Sequence, residues 1–217
     1  MAVQVDNFNK IKKELQSAKV TLVAVSKTKP NEDIQALYDL GQRDFGENYV
    51  QELVDKAAAL PKDIRWHFIG HLQSNKVKYI AELVHLIHGV DSEKLLKEIN
   101  KQGKKLDKKI NCLLQMHIAQ EETKFGLSAA ELREIDVSEY KNVSIIGLMG
   151  MASFTNNEAI VMQEFHNLHL MYEQLQSKNN GIATLSMGMS GDYPIAIQQG
   201  SNMVRIGSLL FGERTKQ

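Results

Sequence analysis

A lysine just past a buried strand is placed to attack a carbonyl carbon, because apolar surroundings disfavour the ammonium and favour the nucleophilic amine. Lys27 stands in that position after Leu22-Val23-Ala24-Val25, and Lys29, ahead of Pro30, is a second amine further out in the same turn. Far along the chain lie two Gly/Ser-rich turns, Ser186-Met187-Gly188-Met189-Ser190-Gly191-Asp192 and Arg205-Ile206-Gly207-Ser208. Glycine lets a backbone approach an anion closely and serine hydroxyls add donors, so both turns suit a phosphate. A ligand gripped by the amine and the turns together would be small, carry a carbonyl group and end in phosphate.

Two kinds of protein use such a ligand: a Schiff-base aldolase acting on sugar phosphates, and a protein holding pyridoxal phosphate. Arg205 separates them. An inward arginine beside the second turn would face the pyridine nitrogen of that cofactor and, being always protonated, would leave the nitrogen without a proton and the ring a weaker electron sink. The competing role for Arg205 is an internal salt bridge. His67 and His71, four residues apart, straddle a strand end rather than a helix, which makes them core or loop histidines rather than metal ligands. His85 with His88, and His166 with His169, lack partner carboxylates or thiolates. The chain carries no P-loop, dinucleotide fingerprint, zinc-protease motif or nucleophile elbow.

The elements that must carry these groups alternate regularly. Short apolar runs predict strands at Thr21 to Val25, around Arg43 to Phe45, and at Trp66 to Ile69, Leu86 to Val90, Cys112 to Met116, Val143 to Leu148, Ala183 to Ser186 and Met203 to Ile206. Between them fall helical stripes: Phe8, Ile11 and Leu15; Ile34, Leu37 and Tyr38 between Pro30 and Gly41; a helix from about Glu47; another from Asn75; Leu95, Leu96 and Ile99 behind a Ser92 cap; and a Ser128/Glu131 capping box before Leu132 and Ile135. The longest helix follows Val161, Phe165, Leu168, Tyr172 and Leu175, and Pro194 to Gln199 make one or two turns. Eight strands interleaved with helices predict one (β/α)8 barrel over residues 1–217, with its working face at the C-terminal strand ends. Strands one and eight then pair, bringing Lys27 beside the last two turns.

Composition excludes several other functions. Lys plus Arg and Asp plus Glu both total 26 in 217 residues, which removes the electrostatic case for nucleic-acid or anionic-membrane partners. Cys112 is the only cysteine, no secretory leader opens the chain and no apolar run is long enough to cross a bilayer, so a reducing, cytoplasmic setting is expected.

The ordered set Val23-Ala24-Val25-Ser26-Lys27-Thr28-Lys29-Pro30, Phe45-Gly46-Glu47-Asn48-Tyr49-Val50-Gln51-Glu52, Trp66-His67-Phe68-Ile69-Gly70, Leu72-Gln73-Ser74-Asn75-Lys76, Gly147-Leu148-Met149, Ser186-Met187-Gly188-Met189-Ser190 and Met203-Val204-Arg205-Ile206-Gly207 closely resembles the pyridoxal phosphate homeostasis proteins, the YggS or proline synthetase co-transcribed family. The match runs from about residue 20 to the end. It implies a fold like the N-terminal barrel of alanine racemase, with pyridoxal 5′-phosphate held as an internal aldimine on Lys27. It also implies Arg205 against the pyridine nitrogen, Ser190, Gly207 and Ser208 on the phosphate, and Asn48, His67 and Asn75 near the barrel mouth. Lys29 becomes a candidate secondary acceptor. The departures are a shorter N-terminal lead, His71 at a variable position, and Gly150-Met151-Ala152 where relatives often carry proline; none touches Lys27 or Arg205.

Racemases of the resembling fold oppose the lysine with a tyrosine from a second domain, for which no residues remain after the last strand. The expectation is therefore a monomeric, non-catalytic carrier in vitamin B6 homeostasis that serves pyridoxal phosphate-dependent apo-enzymes, with a low-activity racemase-like enzyme as the alternative.

Overall fold

Parallel strands alternate with helices along the chain, after an opening helix. The computed structural model describes residues 3–121 and 123–212, so the expected domain limits at 1 and 217 lie outside the described residues. The strands are β1 (Thr21–Val25), β2 (Asp44–Glu47), β3 (Arg65–Phe68), β4 (Leu86–Val90), β5 (Ile110–Gln115), β6 (Val143–Met149), β7 (Thr184–Ser186) and β8 (Met203–Ile206). They close in sequence order into a barrel, with β1 parallel to β8 through Val23 opposite Arg205 and Ala24 opposite Ile206.

The helices are α1 (Val5–Ser17), α2 (Asn31–Asp39), α3 (Val50–Ala59), α4 (Val77–Ile80), α5 (Glu93–Lys105), α6 (Ala129–Glu134), α7 (Glu158–Lys178), α8 (Tyr193–Gln198) and α9 (Ser208–Phe211). Helix α1 buries Phe8, Ile11 and Leu15. Ser92 accepts from the Leu95 N–H at the start of α5, and Ser128 with Glu131 forms a capping box on α6. Strand limits shift by one or two residues, and two helix starts differ from expectation. The helix placed from Glu47 starts at Val50, because Glu47 ends β2 and is fully buried. The helix placed from Asn75 is a 3₁₀ turn, Ser74–Lys76, leading into α4.

Two kinds of side chain fill the barrel interior. Val23, Leu86, Leu113, Met149 and Met203 form one apolar cluster from β1, β4, β5, β6 and β8, while Asp44, His67, His88, Ser186 and Arg205 are buried polar residues from β2, β3, β4, β7 and β8. Backbone proximity is closest at Gly147, where β6 meets β7: a Cβ there would lie 1.7 Å from the Thr184 carbonyl oxygen. Backbone on both sides cannot yield as a side-chain tip would. Gly147→Ala is therefore expected to destabilise the barrel by about 3 kcal/mol or more, read as a lower denaturation midpoint; an unchanged midpoint would mean that the β6–β7 register adjusts without loss.

Candidate functional site

At the C-terminal strand ends a cavity of about 440 Å³ opens between the tips of β1 and β8, lined by Val25, Lys27, Lys29, Phe154, Met189, Ser190, Gly191, Arg205, Gly207, Ser208 and Gly212. Its size suits a ligand of small-cofactor dimensions. The register explains the gathering: Arg205 lies across from Val23, so the turns that follow β1 and β8 leave the barrel side by side. The Gly207 N–H donates to Ser190 Oγ at 3.2 Å, which ties the turn after β7 to the turn after β8.

Lys27 is half-buried in a turn that α3 holds from behind. Thr28 takes a left-handed φ of 63°, strained for a β-branched residue. Its N–H donates to Glu52 Oε1 at 2.6 Å, and the Lys29 N–H donates to the Ser26 carbonyl at 3.0 Å. On the other side of Lys27, the Lys56 ammonium donates to the Ser26 carbonyl at 2.8 Å, to Glu47 at 2.9 Å and to Glu52 at 2.8 Å. Ser26 Oγ donates to Glu47 Oε1 at 2.6 Å. Burial raises the Glu47 carboxyl to about 7, against the opposing pull of the Lys56 charge and the hydrogen bonds from Lys56 and Ser26. Lys29 Nζ donates to the Phe211 carbonyl at 3.0 Å, joining the lysine turn to α9.

Arg205 is buried under the cavity floor. Its Nη1 donates to the Ser186 carbonyl at 2.9 Å and to Ser186 Oγ at 2.7 Å, and its Nη2 donates to the Gly150 carbonyl at 3.1 Å. Burial lowers its pKa to about 10, partly offset by Asp192, so the guanidinium stays charged at neutral pH. Among the described residues Arg205 takes part in no salt bridge, so the internal ion pair that competed with a ligand-facing role is not formed.

Of the residues singled out from sequence, the cavity brings together Lys27, Ser190, Arg205, Gly207 and Ser208, with Lys29 beside them. Asn48, His67 and Asn75 are not among its lining residues. Asn48 follows β2 and its Oδ1 is buried without a hydrogen-bond partner; Asn75 is exposed in the 3₁₀ turn before α4. His67 lies deep in the barrel between Asp44 and His88. His71 is exposed, paired with Asp91 and stacked on Phe125. No group of three or more His, Cys, Asp or Glu arranged for a metal occurs among the described residues. Sequence reading missed Ser26, Glu47, Lys56 and Asp44, set His88 aside for want of partner groups, and placed Ser186 in a phosphate turn, whereas Ser186 does not line the cavity. Strand alternation puts Asp44, His88 and Ser186 on the inward side with Arg205 only once the closed register is known.

An eight-stranded parallel barrel with a half-buried lysine in the turn after its first strand and an arginine inside its last is a barrel of the alanine racemase N-terminal type. The model of that domain matches residues 4–215. A protein of Aquifex aeolicus named pyridoxal phosphate homeostasis protein is 42% identical over 197 residues, covering 89% of this chain and 86% of its own. PipY of Synechococcus elongatus, solved without pyridoxal phosphate, superposes with a TM-score of 0.90 at 34% identity over 95% of this chain and 99% of its own. The same protein solved with pyridoxal phosphate bound gives 0.87 at the same identity and coverage. The chain belongs to the pyridoxal phosphate homeostasis protein family.

Proposed function

We propose that this chain is a single-domain barrel that binds pyridoxal 5′-phosphate covalently through Lys27 and stores or delivers it within the cell, without catalysing amino-acid chemistry. The observation that carries the reading is that one cavity is lined by a lysine amine, a buried guanidinium and two Gly/Ser turns. The donor set fits the cofactor: Lys27 for its aldehyde, Ser190, Gly207 and Ser208 for its phosphate, and Arg205 for its ring nitrogen. Arginine only donates, so it leaves a nitrogen facing it unprotonated. At Gly207 a Cβ would press on Val25 at 3.3 Å, which keeps that turn bare, whereas one at Gly191 would meet open space. Bound there, the cofactor supplies a reactive aldehyde and an electron-accepting ring.

The carrier role is supported by the relatives, which bear the name pyridoxal phosphate homeostasis protein. Lys29, lining the same cavity, is the one feature that favours the alternative of weak racemase-like activity. A cytoplasmic location accords with a single buried cysteine, and no described helix is long and apolar enough to cross a membrane. We take the protein to act as a monomer whose partners are cofactor-free enzymes.

Adding pyridoxal phosphate to the purified protein is expected to produce a visible absorption band. Loaded protein is then expected to reactivate a cofactor-free enzyme in the presence of an aldehyde scavenger that blocks free cofactor, without racemising alanine. A preparation that takes up no cofactor sinks the reading. Scavenger-sensitive transfer reduces the role to storage, and racemisation that requires Lys27 moves the protein to the enzyme class.

A further inference from the structure

A buried guanidinium with no carboxylate in direct contact is costly; Asp192 acts on Arg205 only through space, and each direct acceptor of Arg205 is a neutral oxygen. A carboxylate is nevertheless connected to it. Ser186 Oγ lies 3.1 Å from His88 Nδ1, His88 Nε2 lies 2.9 Å from His67 Nδ1, and His67 Nε2 lies 3.0 Å from Asp44 Oδ1. Beyond Asp44, Arg65 Nε donates to Oδ1 at 2.7 Å, and its Nη2 also contacts the carboxylate. The relative exposures of Ser186, His88, His67 and Asp44 are 0%, 0%, 1% and 8%, so water does not substitute for any link. The row crosses the barrel lengthwise, from the first residues of β2 and β3 to the last of β7 and onto β8.

The two ends set the direction of the row. Arginine can only donate and the Asp44 carboxylate can only accept, so the row runs from Arg205 to Asp44 when Ser186 Oγ accepts from Arg205 and gives its own hydrogen to His88 Nδ1. Burial, with the charges of His67 and Arg205, pushes His88 well below the ordinary histidine range, so its ring is neutral and the proton sits on Nε2. His88 therefore donates to His67 Nδ1, and His67 Nε2 donates to Asp44. Burial alone would raise Asp44, but the hydrogen bonds and charges of His67 and Arg65 hold it at about 2, so the chain ends on a fixed anion.

We propose that Ser186, His88, His67 and Asp44 are positioning residues for Arg205, forming a one-way donor chain that sets the rotation of the guanidinium and polarises it towards Asp44. Three of the five N–H donors of Arg205 are spent on Ser186 and Gly150; the chain thereby determines which edge is presented to the cavity. The inference rests on the reading that Arg205 faces the ring nitrogen of pyridoxal phosphate, and it adds residues that lie outside the cavity lining. Elsewhere the interior is packed by the Val23, Leu86, Leu113, Met149 and Met203 cluster, so volume alone did not require five polar groups here.

The test compares the wild-type chain with Ser186→Ala, His88→Phe, His88→Gln and, off the chain, Leu113→Val. Each is titrated with pyridoxal phosphate, and the position of the visible band is recorded. Ser186→Ala and His88→Phe are expected to weaken affinity about tenfold, the effect of leaving a buried donor unmatched, and to displace the band. His88→Gln, whose amide offers an acceptor and a donor at imidazole-like spacing, should restore both, and Leu113→Val should alter neither. In cofactor-free protein, ¹⁵N spectra should show His88 as a neutral ring protonated at Nε2. Unchanged affinity and band in folded Ser186→Ala and His88→Phe, or a proton on His88 Nδ1, overturns the chain. Failure of the wild-type chain to bind pyridoxal phosphate overturns the underlying functional reading instead.

Discussion

Lys27→Ala is expected to abolish borohydride-stable attachment of pyridoxal phosphate and to weaken its binding at least about a hundredfold, a loss of ~3 kcal/mol. The site divides its grip between a covalent contact and an anion contact. The Gly/Ser turns around Ser190, Gly207 and Ser208 are untouched by the substitution and should still attract the phosphate, so inorganic phosphate should compete with residual binding in the variant. Stability should change little, by about 1 kcal/mol at most, because Lys27 is half-exposed in a turn whose backbone is held by Glu52 and Lys56. Peptide mapping after borohydride reduction provides the check: the wild type should carry the pyridoxyl group on the peptide containing Lys27. If Lys27→Ala carries it on Lys29 with undiminished affinity, then Lys27 is one of two equivalent acceptors and the assignment of a single attachment residue fails.

The strand pattern carried most of the barrel because most strands are short apolar runs flanked by polar turns; β2 (Asp44–Glu47) and β3 (Arg65–Phe68), with charged ends, were placed by the regular alternation around them. Lys27 and the two Gly/Ser turns were legible for the same reason: each follows a strand, and strand ends of one barrel face share one mouth. Arg205 stood out as a charge inside an apolar run. His88 and Ser186 gave no comparable signal, since each sits in a strand that reads as buried whether its polar side chain faces inward or outward. Only the closed register shows that they meet, across 98 residues of sequence. Asn48, His67 and Asn75 were carried over from the family pattern as residues near the barrel mouth, and the cavity is lined without them. Asn75 is exposed on a 3₁₀ turn and His67 points into the barrel. Lys56 escaped because a lysine within an amphipathic helix is ordinarily a solvated face; here α3 turns it inward.

That buried lysine leads to the second large effect, Lys56→Met. Methionine fills comparable volume but removes the donor to Ser26, Glu47 and Glu52 at once. Glu47, fully buried and with one carboxylate oxygen already lacking a partner, would lose its counter-ion. Breaking such a pair from one side costs about 3–5 kcal/mol where the survivor is charged, and this is where pH enters. The Glu47 carboxyl is raised in the folded chain to about 7 from an ordinary 4.5. The native state therefore binds the proton more tightly than the unfolded state, and this group's contribution to stability is fullest below 4.5 and declines as pH rises through 7. For the wild type the decline amounts to roughly 3 kcal/mol. Without Lys56 the folded carboxyl moves higher still, so the decline continues above neutrality. The loss on Lys56→Met should accordingly be modest at pH ~5, where Glu47 is protonated with or without the lysine, and largest at pH ~8. Adding Glu47→Gln should recover most of the pH 8 loss, because a neutral amide needs no counter-ion. Because Lys56 and Glu52 hold the backbone on both sides of Lys27, Lys56→Met should also take up pyridoxal phosphate more weakly even when fully folded at pH ~5, as the strained Thr28 turn relaxes. Denaturant melts at the two pH values decide the matter: equal losses at both, with no recovery from Glu47→Gln, would show that Lys56 acts by packing its methylenes and that the charge cluster behind the lysine turn is incidental.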